Sequence, residues 1–145
     1  MKNLLFMPVF IFLATLFTLE TPTYAASPDE VQVSKKVVEV YYFHRNRRCG
    51  PCRTIENLTQ KTMETYFNAE MESGDVIFHI VNVENDDQKA VAEKFKVVST
   101  ALFINIIEGT EENPSNLTSF AYRHARNEDA FLTGLKEHVE KGLGK

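Results

Sequence analysis

The stretch VVEVYYFHRNRRCGPC, residues 37–52, decides the fold and the chemistry of this chain. Its first part, residues 37–43, is almost entirely β-branched and aromatic, which is typical of a buried central strand. Its last four residues, CGPC, hold the only two cysteines of the chain and stand at the start of a helical pattern. At such a junction two sulfurs are close enough to bridge, and the free N–H groups of the helix favour a thiolate at the first one. The stretch therefore predicts a reversible dithiol/disulfide centre.

Apolar periodicity along the rest of the chain predicts an α/β sandwich with helices on both faces of a mixed sheet. Strands are expected over residues 37–43, 76–83, 101–107 and 117–124, the second of them buried on both faces like the first. Helices are expected over residues 51–71, from Asn85 or Asp86 to Phe95, and from about Asn127, with a hairpin loop over 108–116. The order is thus β-α-β-α-β-β-α. Two strands joined by a long helix should be parallel with a right-handed crossover, and the closing pair antiparallel.

The first 25 residues have the features of a secretory signal peptide. Lys2 supplies a positive start, residues 4–19 are almost unbrokenly apolar, and Thr23 and Ala25 are suitable small residues before a cleavage point. The apolar run is shorter than the roughly 20 residues that a spanning helix needs, although an uncleaved membrane anchor is the alternative. We therefore expect residues 26–145 to form one exported domain. The expected location is the bacterial periplasm, with secretion or outward-facing membrane anchoring as alternatives.

Composition and charge exclude several classes of function. The chain has a formal net charge of −4, and a nucleic-acid surface would need Lys and Arg clustered on one face, so no nucleic-acid partner is expected. Two cysteines and four scattered histidines do not have the spacing of a zinc site, and nothing resembles a nucleotide loop. We therefore expect neither a metal nor another cofactor. A membrane is expected as a partner only if the signal segment stays uncleaved.

A purely structural role for the cysteine pair is disfavoured. Export to an oxidising compartment permits structural disulfides. A bridge between residues three apart in sequence, however, closes a very small loop and restrains little of the unfolded chain, so its stabilising effect is small. The pair is better explained as a redox centre.

Taken together, these features resemble the thioredoxin superfamily. The similar parts are the strand that ends at residue 43, the Cys-Gly-Pro-Cys centre with the helix behind it, and the segments VNVE at 81–84 and VAEKFKV at 91–97. The resemblance covers most of residues 37–143. It implies a thioredoxin-like three-layer α/β sandwich whose central mixed sheet has four to five strands flanked by helices.

In the mechanism of this family the first cysteine attacks and the second resolves, so the resemblance implies Cys49 as nucleophile and Cys52 as resolving partner. The positions agree with this, because Cys49 is expected at the helix start and Cys52 within the first, more buried turn. Pro51 has no N–H to leave unpaired at a helix N-terminus, and Gly50 lets the turn bend. Both residues are therefore assigned to the active-site turn.

One departure from the family concerns the loop that faces the cysteines on the substrate side. The family normally has a cis-proline there, which helps to bind an extended substrate, whereas residues 97–102 contain no proline. An ungapped alignment puts Ala101 in its place, and a one-residue deletion puts Thr100 there. A cis bond without proline costs about 2.5–4 kcal/mol, so we expect a trans bond or a reshaped loop at Ser99, Thr100 and Ala101.

A second departure is electrostatic. Thioredoxins usually bury an aspartate before the centre, with a lysine nearby, to manage the proton of the second cysteine. Here the equivalent positions are Tyr42 or Phe43, and Ile80, so both charges are absent together. Glu39 lies in the same strand, but the sequence leaves its direction open. Glu56, one turn beyond the second cysteine, is either a proton acceptor or an ordinary exposed helix glutamate.

Three arginines precede the first cysteine and are candidates for tuning its pKa. If Arg47 and Arg48, or Arg45, lie near Cys49, they lower the pKa of its thiol and attract acidic partners. The alternative is a solvated basic loop without influence, since exposed charges are heavily screened. His44 either hydrogen-bonds near the centre or simply ends the strand.

The sequence therefore predicts an exported thiol-disulfide oxidoreductase. Gly-Pro between the cysteines is the dipeptide of the reducing branch of the family, which favours reduction of protein disulfides. The implied partners are a disulfide-containing substrate protein and a thiol redox partner, for which a membrane-embedded thiol carrier is a candidate. A strongly stabilised thiolate at Cys49 would favour a disulfide oxidase or isomerase instead. A binding or redox-sensor module without general turnover is the other alternative, and the missing proline supports it.

Overall fold

Four strands form the mixed sheet of the computed structural model, which describes residues 35–145. The strands are β1 (Lys36–His44), β2 (Val76–Asn82), β3 (Ala101–Glu108) and β4 (Glu111–Asn116). Their spatial order is β2-β1-β3-β4, with β1 and β2 parallel and the other two pairs antiparallel. This arrangement confirms the expected α/β class with a mixed sheet. The predicted signal peptide and its cleavage point lie outside the described residues.

Five α-helices and one 3-10 turn of the described residues flank this sheet. They are α1 (Gly50–Tyr66), α2 (Asn68–Ser73), α3 (Lys89–Lys94), α4 (Thr118–His124) and α5 (Glu128–Leu143), with the 3-10 turn at Asp86–Gln88 before α3. The helix expected over residues 51–71 is interrupted at Phe67, which leaves helical backbone angles (φ −129°, ψ 19°) and buries its ring. Gly74, with φ +74°, ends α2 in the left-handed conformation that glycine adopts without a steric penalty. None of these helices within residues 35–145 is long and apolar enough to cross a membrane.

The two faces of β1 contact different helices, and this produces the three layers. Successive side chains of a strand point to opposite faces of the sheet. Val40 and Tyr42 are completely buried in the cluster that contains the apolar residues of α1, α4 and α5. Tyr41 and Phe43 point to the other face and pack against Phe95 at the end of α3. The helix that carries the cysteines therefore lies on the Tyr42 side of the sheet.

The edge strand next to β3 lies in a segment that was predicted to be a loop. Residues 111–116, which were expected in a hairpin loop, form β4 and pair with β3. Every residue of β4 is exposed, and Pro114 lies within the strand opposite Asn105. An edge strand tolerates proline and needs no apolar face, so it lacks the alternation by which a half-buried strand is predicted.

The segment that was expected as an edge strand, residues 117–124, is helical and forms α4. Leu117, Ala121 and Ala125 are buried at intervals of four residues, which is the spacing of one helix face. The short alternation of polar and apolar residues in this segment was the weaker of two competing patterns. This correction matters for the site, because α4 packs against α1.

Strand β2 was expected to be buried on both faces, but it lies at an edge of the sheet and is partly exposed. Its inner edge pairs with β1, while Ile77 and Ile80 are 38% and 39% exposed. Val76 and Val81 are its buried residues. A continuous apolar run does not distinguish a central strand from an edge strand, because both use the same β-forming residues.

The last helix begins where the sequence predicts. Asn127 is its N-cap, and the side chain of Asn127 accepts a hydrogen bond from the Ala130 N–H at 3.1 Å. Phe131 and Val139 are fully buried on its inner face. Because α5 packs against both α1 and β1, it supports the helix that carries the cysteines.

Candidate redox active site

The two cysteines form a disulfide at the N-terminus of α1. Cys49 is the N-cap, with φ −72° and ψ 165°, and Cys52 lies in the first helical turn, so that their Cα atoms are 5.0 Å apart. The Cys52 N–H donates a hydrogen bond to Sγ of Cys49 at 3.1 Å. Cys49 is exposed, whereas Cys52 is only 7% exposed. The first cysteine is thus open to solvent and the second is shielded.

Gly50 and Pro51 form the turn between the sulfurs. Gly50 is the first residue of α1 and Pro51 follows it, at a position where the backbone N–H of a helix has no intrahelical partner. Pro51 therefore loses no hydrogen bond. Gly50 does not have a positive φ, and a Cβ placed on it would meet no atom within 4 Å. The turn does not depend on the conformational freedom of glycine.

Glu84 ties the loop before the disulfide to the end of β2. Its carboxylate accepts hydrogen bonds from the Asn46 N–H at 2.7 Å and from Nε of Arg45 at 2.8 Å. These two donors, the Asn46 N–H most of all, hold the pKa of Glu84 below its usual range. Asn82 Nδ2 also donates to the side chain of Asn46 at 2.8 Å. Arg45 is therefore committed to Glu84 and anchors the loop.

Arg48 connects the end of β1 with α1. Its guanidinium pairs with Glu56 and donates a hydrogen bond to Nε2 of His44 at 2.8 Å. An arginine can only donate, so Nε2 accepts and the proton of the neutral ring lies on Nδ1, 3.1 Å from the Arg45 carbonyl oxygen. The side chains of Arg48 and Glu56 are 28% and 15% exposed. Glu56 is therefore neither free nor exposed, and the charge of Arg48 is balanced within the site.

Arg47, the other candidate for tuning Cys49, has different surroundings. It is exposed and forms no salt bridge with any residue between 35 and 145. A fully solvated charge is screened and has a weaker effect on a neighbouring thiol than a partly buried one. The structure therefore separates the three arginines of the loop into two that are paired and one that is not.

The hydroxyl of Tyr42 contacts the backbone of the resolving cysteine. It is fully buried, and its hydroxyl donates to the Cys52 carbonyl oxygen at 2.7 Å. Burial, and next the nearby carboxylate of Glu56, raise the pKa of Tyr42 to about 12, so the hydroxyl remains a donor at neutral pH. Phe43 lies on the opposite face of the sheet. Of these two residues, Tyr42 is thus the one on the cysteine side of the sheet.

A second tyrosine, Tyr122 of α4, lies at the sulfur of Cys52. Its hydroxyl oxygen is 3.7 Å from Sγ, within the range of hydrogen bonds to sulfur. Tyr122 is 43% exposed, so it forms part of the wall between Cys52 and solvent. Its place at the sulfur could not be predicted while residues 117–124 were expected to form an edge strand. The helical spacing of Leu117 and Ala121 is the signal that could have found it.

The two other positions considered for charge management supply no charge at the disulfide. Ile80 is exposed on β2. Glu39 lies on the face of β1 opposite to Tyr42, where it accepts hydrogen bonds from the Tyr41 hydroxyl at 2.9 Å and from Asn105 at 3.1 Å. Glu39 is therefore separated from the cysteines by the sheet.

The substrate-side loop keeps trans peptide bonds, as do all residues from 35 to 145. Ser99 is exposed, Thr100 is half-buried, and Ala101 is a buried residue that begins β3 opposite Phe43. Thr100 is close enough to the Tyr42 hydroxyl to act, as the smallest of several influences, to lower the pKa of Tyr42. The loop lines a surface groove of about 630 Å³.

These side chains together supply what sulfur exchange requires. A nucleophilic thiol needs an accessible position that favours its thiolate, and a resolving thiol needs to lie within bonding distance of the first. Cys49 and Cys52 meet these two conditions. No group of three or more His, Cys, Asp or Glu side chains in the described part of the chain is arranged to hold a metal ion.

The fold is that of a thioredoxin-like α/β domain with a disulfide-capable centre. Three features define it: the strand order, the helix that begins at a Cys-Gly-Pro-Cys disulfide, and the closing helix on the same face of the sheet. No protein-family model and no curated protein matches the chain.

Among solved structures, the chain is similar to three thioredoxins. The thioredoxin of Fasciola hepatica is 23% identical over 73% of this chain and 81% of its own, with a TM-score of 0.42. The reduced thioredoxin pre-protein of Schistosoma mansoni is 22% identical over 74% of this chain and 80% of its own, with a TM-score of 0.43. A thioredoxin of Thermus thermophilus is 14% identical over 73% of this chain and 76% of its own, with a TM-score of 0.47.

Removal of the Tyr122 hydroxyl is expected to make the Cys52 thiolate less stable. In the reduced protein this hydroxyl is placed to donate a hydrogen bond to Sγ of Cys52. A half-exposed hydrogen bond to a charged group contributes about 1 kcal/mol, so Tyr122→Phe should raise the pKa of the Cys52 thiol by about 0.7 units. The measurement is the pH dependence of iodoacetamide alkylation at Cys52 in a Cys49→Ser background.

Tyr66→Phe is the matched control for this prediction. Tyr66 is 41% exposed, close to the exposure of Tyr122, and lies at the opposite end of α1 from the cysteines. Its replacement should leave the alkylation profile of Cys52 unchanged. Identical profiles for both tyrosine variants would show that Tyr122 has no influence on the sulfur.

Proposed function

We propose that this protein is an exported thiol-disulfide oxidoreductase that reduces disulfides of other proteins. The observation that carries the proposal is the exposed Cys49 sulfur at the N-terminus of a 17-residue helix, joined to the shielded sulfur of Cys52. Free N–H groups and the helix dipole favour negative charge at that position. Reduction of the pair therefore yields a nucleophilic thiolate at Cys49 and a second thiol that can displace what it captures.

The reaction consists of two successive thiol-disulfide exchanges. The Cys49 thiolate attacks one sulfur of the substrate disulfide, that S–S bond breaks, a mixed disulfide forms, and the leaving substrate thiolate takes up a proton. Cys52, after losing its proton to solvent, attacks Sγ of Cys49 and releases the second substrate thiolate, which is protonated in turn. In all, the substrate gains two electrons and two protons, one proton on each sulfur. The protein keeps the Cys49–Cys52 disulfide.

Each cycle consumes the dithiol form, so a dithiol donor must reduce the Cys49–Cys52 disulfide by the same exchanges in reverse. Export of the domain, which the character of residues 1–25 supports, would place this donor outside the cytoplasm. We therefore propose a membrane-embedded thiol carrier as its redox partner. The exchanges need no metal or organic cofactor.

The local charges support the reducing direction. A strongly stabilised Cys49 thiolate would make the disulfide form a strong oxidant. Arg45 and Arg48 are paired with Glu84 and Glu56, so they stabilise a thiolate less than their positions in the sequence suggest. For these two arginines the pairing thus favours a reductase over an oxidase or isomerase. The other four arginines are exposed, and exposed charges are heavily screened.

A binding or redox-sensor module is the second candidate, and the substrate-side loop favours it. Residues 97–101 contain no proline to shape a docking site for an extended substrate. In this alternative both thiols react and the disulfide forms, but general protein disulfides are not turned over.

Two measurements test the proposal. The wild-type protein should accelerate reduction of insulin by dithiothreitol, which is followed as precipitation of the insulin B chain. A folded protein with two reactive thiols and no acceleration would support the binding module. Equilibration with reduced and oxidised glutathione gives the direction, since a potential below about −200 mV supports a reductase and one near about −120 mV identifies an oxidase.

A further inference from the structure

All six arginines of the chain fall in two segments, 45–53 and 123–126, which meet at the disulfide turn. Four are within residues 45–53, and the other two, Arg123 and Arg126, are on or directly after α4, whose Tyr122 contacts the resolving cysteine. No lysine lies between residues 37 and 60. The whole chain has a net charge of −4, so these arginines form a positive site on an otherwise acidic protein.

A surface groove of about 590 Å³ joins two of these arginines to the disulfide turn. We call it the arginine groove, and it is lined by Pro51, Thr54, Tyr122, Arg123, Ala125 and Arg126. Pro51 stands between the two cysteines, and the Tyr122 hydroxyl is 3.7 Å from Sγ of Cys52. The groove therefore lies against the turn between the two cysteines.

The arginines of this groove have no acidic partner within residues 35–145. Arg123 and Arg126 are exposed and form no salt bridge with any residue of the described segment. The nearby Glu128 is already paired with a lysine of α1 at 2.5 Å. Asp129 lies in the first turn of α5, where the helix N-terminus stabilises it. Two positive charges are thus available to a ligand at the groove.

We propose that the arginine groove binds an acidic segment of the substrate protein, next to the cysteine that Cys49 captures. This inference rests on the proposed function and names the substrate class. A guanidinium binds a carboxylate through two parallel hydrogen bonds, which an ammonium group cannot do. Opposite charge also steers the encounter at low salt, while the acidic remainder of the surface repels such a segment elsewhere.

The test compares three disulfide-linked peptides that differ only in three positions beside one cysteine, filled with Glu, Gln or Lys. The wild-type protein should reduce the Glu peptide with a kcat/KM about five-fold above that of the Gln peptide at low salt, and the Lys peptide more slowly than both. The preference should fall toward unity at about 0.3 M salt, because exposed charges are screened there.

A pair of double variants locates the preference on the surface. R123Q/R126Q should lower the Glu-to-Gln ratio of kcat/KM from about five to below about two. The control K89Q/K141Q removes the same charge from two exposed lysines that have no salt bridge within residues 35–145, and it should keep the wild-type ratio. A ratio that survives R123Q/R126Q overturns the inference.

Failure of the proposed function is recognised separately. Turnover of the uncharged Gln peptide tests the oxidoreductase activity alone. If no peptide is reduced, fluorescence anisotropy with Glu and Gln peptides whose cysteines are replaced by serine measures the same preference without chemistry. A single-stranded oligodeoxythymidine that binds more tightly than the Glu peptide, and loses affinity in R123Q/R126Q, would assign the groove to nucleic acid and overturn the inference.

Discussion

Replacement of Cys49 by serine is expected to lower the rate of insulin reduction by about a thousand-fold or more, to the uncatalysed background. A serine hydroxyl is not ionised at neutral pH and cannot form a mixed disulfide. Cys52 cannot take over the attack, because it is 7% exposed and lies behind the Tyr122 hydroxyl. The measurement is the onset of insulin precipitation with dithiothreitol, with far-UV circular dichroism to show that the variant is folded.

The matched control is Cys52→Ser, which removes the other sulfur and keeps the nucleophile. This variant should still attack a substrate disulfide, but the mixed disulfide cannot be resolved within the protein. Mass spectrometry should therefore show a reductant-sensitive adduct at Cys49. Wild-type activity in Cys49→Ser, or no adduct on Cys52→Ser, would contradict the assigned roles. An adduct trapped in the native host would identify the substrate.

Local signals explain why most of the fold could be predicted from the sequence. The β-branched and aromatic run of β1 specifies a strand without reference to the rest of the chain. Pro51 marks the start of α1, Gly74 ends α2, and Asn127 caps α5, each through the backbone geometry of a few residues. Such signals do not need knowledge of tertiary neighbours.

The region after β3 could not be predicted in the same way. β4 is fully exposed and contains Pro114, so its strand conformation comes from pairing with β3 and not from its own residues. In the next segment a short alternating pattern competed with the helical spacing of Leu117 and Ala121. Burial of these two residues in the core stabilises the helix. Burial depends on tertiary packing, so it cannot be read from this segment alone.

The cysteines could be assigned from their spacing, whereas their surroundings depend on distant elements. Tyr122 reaches Cys52 only because α4 packs against α1. Arg48 and Glu56 were each candidates for tuning the cysteines, but their mutual pairing follows from the way the loop meets the helix. Sequence therefore identified the two cysteines that the structure joins in a disulfide, and the structure shows which charges near them are balanced.

Replacement of Phe131 by alanine is expected to lower the free energy of unfolding by about 3–5 kcal/mol. The Phe131 ring is completely buried in α5 and packs against Phe120, with 5.6 Å between the ring centroids. The substitution loses the transfer free energy of the ring and leaves a cavity that the surrounding helices fill only in part. This is a large share of the about 5–15 kcal/mol that stabilises a typical domain. Urea denaturation of the oxidised protein measures the change.

Val98→Ala is the control, because it removes apolar atoms from a side chain that is 83% exposed and should change the stability by less than about 0.5 kcal/mol. The effect of Phe131→Ala should also reach the cysteines, since α5 packs against α1. In the reduced variant, the shielded Cys52 should react faster with iodoacetamide at urea concentrations below the unfolding transition. An unchanged urea midpoint would show that α5 lies outside the cooperative core.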